Sequence, residues 1–190
     1  SWEANTDTVY KVEYYLENIH KTGYEYPIVE DFSGTTASTV TAELKEFEHF
    51  TFLDTAENVL SGNIDANGNL VLKVYYTRDT YDVAVSVNDS DRGTAFGAGN
   101  YIYGETVTLT ATDKRGYTFL GWFDEQGNAV KNAGDAVREN NTYPYTYSWT
   151  FEAGSSVNCV AKWDLSTDTR YTVEYYLEKT HDIVIYICDD

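Results

Sequence analysis

The sequence has no methionine, two prolines, two cysteines and three histidines in 190 residues. So little proline, with no methionine, argues against a loose helical or proline-rich linker. Cys159 and Cys188 fit no zinc motif, because a structural zinc site needs four ligands. We expect two free thiols in a scaffold that does not depend on them, with a disulfide between them as the alternative.

Basic residues are scarce as well. Thirteen lysines and arginines stand against 31 aspartates and glutamates, which gives a net charge of −18. Nucleic acid and anionic membrane surfaces both require a basic patch, so the charge argues against both partners. The acidic residues are spread along the whole chain, which indicates a well-solvated secreted surface; the alternative is acidic clusters that hold Ca²⁺.

Long apolar runs are also missing. No stretch is long enough to span a bilayer, so we expect no membrane insertion. The first residues, SWEANTDT, have neither the basic start nor the apolar core of a signal peptide. A fragment cut from a longer secreted protein would lack a signal peptide in the same way, and we expect this chain to be such a fragment.

What the sequence does contain is strand patterning in tyrosine, valine and threonine. The segment VYKVEYYLE at 9–17 alternates apolar and polar residues, which is typical of a strand with one buried side. Nearly the same letters, RYTVEYYLE, return at 170–178, which is 161 positions further on (170 minus 9). Helix signals are weak, and 42–47 and 54–60 are the best candidates. The predicted buried face of the first strand consists of Tyr10, Val12, Tyr14 and Leu16.

A second repetition lies between these two copies. TVT at 39–41 precedes FTF at 50–52, and TVT at 106–108 precedes YTF at 117–119, so both pairs are offset by 67 positions (106 minus 39). Self-similarity of this kind is typical of repeat proteins and predicts two related units. The predicted parts are an N-terminal lead-in at 1–8, β-rich domains at 9–78 and 79–164, and a linker with the truncated start of a third repeat at 165–190.

The letters of both units resemble known bacterial repeats. YGETVTLTATDKRGYTFLGWFDEQGN at 103–128 and VNCVAKW at 157–163 resemble the internalin-type B-repeat, also called the Listeria–Bacteroides repeat, over about 79–164. YKVEYYLEN, FTF and NLVLKVYYTR resemble the MucBP-like, mucin-binding-protein repeats of Gram-positive surface proteins, over about 9–78. The resemblance implies a mainly β chain of β-grasp, ubiquitin-like small domains in tandem, with at most one short helix each. It also implies a non-enzymatic protein.

No motif for catalysis or metal binding stands out, so we expect no catalytic residues, no metal and no cofactor. The carboxylate pairs Glu13 with Glu17 and Glu30 with Asp31 are predicted to lie on solvated strand faces. The oxygen-rich segment 88–91 is predicted to be a simple turn, with Ca²⁺ binding as the alternative. Trp122 and Trp163 are predicted to be core residues.

An aromatic row is the best candidate for a ligand-binding site. Tyr143, Tyr145 and Tyr147 alternate and are followed by Trp149, so they are predicted to share a strand face. Such rows can stack on sugar rings or grip a protein partner, but the interpretation we favour is cross-strand packing within the sheet.

These observations lead to a prediction of function. The chain is expected to be a stalk or spacer of a bacterial cell-surface or secreted protein, with a part in adhesion. A specific glycan- or mucin-binding adhesin is the alternative. Expected partners are host glycoproteins or mucin glycans and other repeats of the same chain. The expected location is extracellular, with attachment to the cell wall through other parts of the protein.

Overall fold

The computed structural model describes residues 3–167 and 172–175. Within these residues the secondary structure is fifteen β-strands and one 3-10 helix, so the predicted mainly β class is confirmed. In the same residues we find no helix with the length and apolar character needed to cross a membrane. The first six strands are β1 (Thr8–Leu16), β2 (Ile28–Gly34), β3 (Thr39–Thr41), β4 (Phe50–Phe52), β5 (Ser61–Asn63) and β6 (Val71–Arg78).

Nine further strands follow, with the 3-10 helix between two of them. They are β7 (Thr80–Val87), β8 (Gly93–Phe96), β9 (Gly99–Ile102), β10 (Thr106–Asp113), β11 (Tyr117–Phe123), β12 (Ala129–Asn132), the 3-10 helix (Ala133–Asp135), β13 (Val137–Arg138), β14 (Thr146–Glu152) and β15 (Val157–Leu165).

The first large sheet has the strand order β2-β1-β6-β4, and a small sheet pairs β3 with β5. Strand β1 lies antiparallel to β2 and parallel to β6. Its parallel register places Lys11 opposite Val71 and Leu16 opposite Tyr76. Strand β4 completes the sheet antiparallel to β6. The two central strands, β1 and β6, are therefore the first and the last strands of residues 8–78.

One face of this sheet forms an aromatic core, as the alternation in β1 predicted. Val12 and Tyr14 are buried, and Tyr10 and Leu16 pack against them. The Phe47 ring lies edge-on to Tyr76, with ring centroids 5.0 Å apart. The buried members of this cluster are Val12, Tyr14, Ala42, Leu72, Val74 and Tyr76.

The two helix candidates, 42–47 and 54–60, were wrong, since neither segment is helical. Both are irregular chain, with a turn at 56–57, and the Ala42 amide donates to the Leu60 carbonyl at 2.8 Å. The Asn58 side chain donates to the Leu53 carbonyl and accepts from the Tyr75 amide, at 2.8 and 3.0 Å. A polar side chain that binds backbone in this way competes with helix formation.

The remaining sheets have the orders β12-β11-β15-β7-β9 and β13-β14-β10-β8. Within the former, the order β9-β7-β15-β11 matches β2-β1-β6-β4, and β7/β9 and β11/β15 are antiparallel like β1/β2 and β4/β6. The predicted 67-residue offset equates β4 with the start of β11, which occupy the same place in the two orders. Sequence repetition and strand order therefore agree.

The chain divides into two compact units whose limits differ from the predicted domain boundaries, and those boundaries stay a prediction. The first unit comprises the described residues of 1–85, 96–109 and 149–159, and the second comprises those of 86–95, 110–148 and 160–190.

The core of the second unit is built on Trp163. Trp122 and Trp163 are both fully buried, as predicted, and the Phe119 ring contacts both at centroid distances of 4.6 and 5.3 Å. The Trp163 indole N–H donates to Asp113 at 2.7 Å. The Asn88 side chain binds the Trp163 backbone, donating to its carbonyl at 3.0 Å and accepting from its amide at 3.1 Å. The ring is thus held by hydrogen bonds as well as by packing.

Candidate functional site

The predicted aromatic row begins before the strand does. Because β14 starts at Thr146, only Tyr147 and Trp149 lie within it, while Tyr143 and Tyr145 lie in the segment that leads to it. The four side chains therefore differ in surroundings, and each is described by its own contacts.

Tyr143 and Tyr145 form a surface group with two arginines. Tyr143 is 44% exposed, and its ring lies 6.3 Å from that of Tyr145 at an interplanar angle of 85°. The Arg115 guanidinium lies 5.2 Å from the Tyr143 ring centroid, and that of Arg138 lies 3.8 Å from the Tyr145 centroid. A guanidinium over a ring face is a cation–π contact, and these pairs hold both rings in place.

Asn140 shapes the segment that carries these tyrosines. Its side chain donates to the Pro144 carbonyl at 2.6 Å and accepts from the Thr146 amide at 2.9 Å. Its own carbonyl accepts from Arg138 Nε at 3.1 Å. One asparagine thus connects the arginine, the loop and the first residue of β14. The segment that carries Tyr143 and Tyr145 is therefore held by hydrogen bonds to Asn140.

Tyr147 and Trp149 are each half-buried. The Tyr147 ring lies 5.0 Å from that of Phe119 in the core of the second unit, and burial raises the pKa of its hydroxyl. The Trp149 ring packs against Phe151 at 4.6 Å. Of the four predicted residues, Tyr143 and Tyr145 contact each other, whereas Tyr147 contacts core residues.

Arg115 and Arg138 are the residues of this surface that sequence reasoning missed. The available signal was their position, because the chain has only 13 basic residues. Arg115 lies two positions before β11, and Arg138 lies five positions before Tyr143. Nothing in the letters shows that the two arginines meet the tyrosine rings, because that depends on how the strands are placed.

The carboxylate pairs bind groups of the protein itself. Glu13 accepts from the Tyr15 hydroxyl at 2.6 Å, and this bond helps to raise the pKa of Tyr15 to about 12. Glu30 binds Lys45, while Asp31 forms an exposed ion pair with Lys11 at 3.6 Å. These partners leave Glu13, Glu30 and Asp31 in ion pairs or hydrogen bonds that suit a structural role.

Glu17 is held most firmly of the four carboxylates. It accepts from the Thr77 hydroxyl at 2.8 Å and from the Arg78 amide at 3.0 Å. Both donors lie at the end of β6, so this carboxylate joins the ends of two strands.

The oxygen-rich segment 88–91 is a turn in which the Asn88 and Asp89 side chains are hydrogen-bonded. Asn88 binds the Trp163 backbone, as described above. Asp89 accepts from the Asp91 amide at 2.9 Å and from Arg92 at 3.1 Å, and these bonds lower the pKa of its carboxyl. Across the described ranges, no group of three or more histidine, cysteine, aspartate or glutamate side chains is placed to hold a metal ion.

The two cysteines and the predicted third repeat are only partly covered. Cys159 is buried and free, and burial raises the pKa of its thiol. Cys188 lies outside the described residues, as does most of 170–178. Within that segment Val173 and Tyr175 are described, and both are exposed.

The protein is therefore a mainly β protein with a surface group of two arginines and two tyrosines. Residues 83–155 match the family model of the divergent InlB B-repeat domain. No curated protein matches the chain. A solved structure described as "Crystal structure of Mub-RV" shares 11% sequence identity over 83% of this chain and 99% of its own, with a TM-score of 0.27.

Proposed function

We propose that this chain is a non-enzymatic repeat region of a bacterial cell-surface or secreted protein, acting as a stalk or spacer and contributing to adhesion. The observation that carries the proposal is the match of 83–155 to a B-repeat domain. The near-copy of 9–17 at 170–178 supports it, because it indicates that the same sequence element begins another repeat.

Two measurements test this proposal. Antibodies raised against the purified chain should label intact cells of the source organism, and labelling that requires permeabilised cells would contradict a surface location. Small-angle X-ray scattering of the chain should give the profile of an elongated monomer, as a spacer requires. A compact globular profile would refute the spacer role.

The second candidate function is a glycan- or mucin-binding module that uses the aromatic residues Tyr143, Tyr145, Tyr147 and Trp149. The observation that favours it is the exposed Tyr143 ring beside Arg115 and Tyr145. An exposed ring can stack on a sugar, and a neighbouring guanidinium can donate to sugar hydroxyls or to an acidic substituent. The ligand class that this surface fits best is therefore a glycan, including acidic ones.

A binding assay on immobilised mucin and on a glycan array tests this second function. Tyr143→Ala should abolish binding if the surface is used. Tyr26→Ala is the matched control, since Tyr26 is 99% exposed in the other unit. Tyr147→Ala is unsuitable as a first test, because loss of its contact with Phe119 would weaken the core. Equal binding by the Tyr143→Ala protein and the parent, or none by either, would reject this function.

A further inference from the structure

The first sheet is entered through β1 and left through β6, and these two strands are parallel neighbours. Six consecutive positions pair between them, from Lys11 with Val71 to Leu16 with Tyr76. The Lys11 amide also donates to the Leu70 carbonyl at 3.0 Å, one residue before β6 begins. A continuous row of backbone hydrogen bonds therefore joins the strand that receives the chain to the strand that releases it.

This geometry determines how the sheet meets a pulling force. Tension on the two ends of the chain draws β1 toward its N-terminus and β6 toward its C-terminus, along the strands and in opposite directions. All the hydrogen bonds between the two strands are then sheared together. The antiparallel pair β1/β2 differs: pulling on Thr8 and Gly34, which pair directly, would open that ladder one bond at a time.

Glu17 fastens the far end of the parallel pair. Besides the two bonds to its carboxylate described above, its backbone carbonyl accepts from Arg78 Nε at 2.8 Å. The Arg78 guanidinium also donates to the Tyr103 carbonyl at 3.0 Å. Sliding β1 past β6 would break every bond to Glu17 at once, and the bond from the Arg78 amide to a carboxylate is of the strong, charge-assisted kind.

We propose that the β1–β6 pair, fastened by Glu17 to Thr77 and Arg78, is a mechanical clamp that keeps this sheet folded when the chain is pulled from both ends. The inference rests on the proposed stalk function, since a surface stalk that takes part in adhesion is placed under tension. The near-copy at 170–178 retains the glutamate as Glu178, so the sequence provides the same element for a following repeat.

The test is to pull one protein in two directions. The full chain would carry attachment tags at both termini and a third tag inserted after Thr35, an exposed residue between β2 and β3. Terminal attachment shears β1 against β6, whereas attachment through the N-terminus and the insert unzips β1 from β2. Because the molecule is the same in both cases, its equilibrium stability cannot explain a difference in rupture force.

The force–extension curve should show a characteristic increase in chain length when the clamp ruptures. Rupture under terminal attachment should free the 71 residues from Thr8 to Arg78 (78 minus 8, plus 1). This is about 250 Å of extended chain at roughly 3.6 Å per residue, less the folded separation of the two ends. We expect a rupture force at least twofold higher than in the unzipping direction. Equal or lower force under terminal attachment would overturn the proposal.

Two pairs of variants locate the clamp. Glu17→Ala should raise the forced unfolding rate at least tenfold under terminal attachment. Glu25→Ala, which loses an ion pair to Arg78 at 3.7 Å but no bond between β1 and β6, should not. Lys11→Pro removes the amide that bonds to Leu70 and should have the same effect as Glu17→Ala. Lys11→Ala keeps that amide and should behave like the parent.

The clamp and the stalk function can fail independently. A twofold difference in rupture force between the two pulling directions, with no antibody labelling of intact cells, would support the clamp and refute the surface stalk. Antibody labelling of intact cells, with equal rupture forces in the two directions, would support the stalk and refute the clamp. If Glu17→Ala failed to fold, the two pulling directions of the parent protein would still decide the question.

Discussion

Replacing Trp163 with phenylalanine should separate the packing role of this side chain from its hydrogen bond. The indole N–H donates to Asp113 at 2.7 Å, and Asp113 is only 4% exposed. Phenylalanine fills most of the same space but cannot donate a hydrogen bond. The substitution therefore leaves a buried carboxyl group without one of its donors.

The magnitude follows from two contributions. A hydrogen bond to a charged group contributes about 1.5–3 kcal/mol. The smaller ring leaves a partial cavity, which costs roughly 1–2 kcal/mol given that full truncation of tryptophan costs about 3–5. Trp163→Phe should therefore lower the free energy of unfolding by about 2.5–5 kcal/mol at pH 7.

The loss should also depend on pH, with a definite sign. Burial raises the pKa of Asp113, while the Trp163 indole and the Phe119 amide oppose that rise. For a carboxyl group with a raised pKa, the stability tied to its protonated form is complete below the unfolded pKa of about 3.9 and disappears as the pH rises through the folded value. Removing the indole raises the folded pKa further, so the loss grows with pH. At pH 3.5 it should be about 1–1.5 kcal/mol smaller, the difference between a charged and a neutral hydrogen bond.

Urea denaturation monitored by circular dichroism at pH 3.5 and pH 7 measures this loss of stability without relying on tryptophan fluorescence. The same substitution in the Asp113→Asn background should cost less and should not vary with pH, because the titrating group is gone. Residues in direct contact should show such coupling in a double-mutant cycle. An equal loss at both pH values, with no coupling between the sites, would refute the reasoning.

Three shorter predictions concern other buried positions. Gly93→Ala should lower the free energy of unfolding, measured in urea, by about 1–3 kcal/mol, because the added Cβ would lie 2.2 Å from the Trp163 ring. Gly134→Ala should have little effect, because apart from its chain neighbours no described residue lies within 4 Å of the added Cβ. Tyr14→Phe should leave stability within about 1 kcal/mol, because its buried hydroxyl has no hydrogen-bond partner among the described residues. A reducing agent should leave the melting temperature unchanged, and Cys159 should react with thiol reagents only at the rate of unfolding, because it is buried and free.

The strands could be predicted because their signal is local. Alternation in 9–17 identified the buried face of β1, since side chains on a strand point to opposite sides in turn. The offset of 67 positions predicted β4 and the start of β11 to be equivalent, and the two strands occupy the same place in their sheets. The helix candidates failed because weak propensity at 42–47 and 54–60 is outweighed by contacts with distant strands, such as the bond from Ala42 to Leu60.

The candidate site shows where local reasoning stops. Alternation placed Tyr143, Tyr145 and Tyr147 on one face, but the strand begins at Thr146, and Asn140 shapes the segment before it. The arginine partners of Tyr143 and Tyr145 come from other parts of the chain, so no pattern within 143–149 could indicate them.

The sequence by itself determined the mainly β fold class of this protein, through its strand periodicity, its repeats and its richness in tyrosine, valine and threonine. These are properties of short windows and of composition, which do not depend on distant contacts. Only the tertiary structure decided that β1 and β6 are parallel neighbours, that Glu17 joins their ends and that Trp163 donates to Asp113. Each of these joins residues at least 50 positions apart, and such pairs are specified by the packing of the whole sheet.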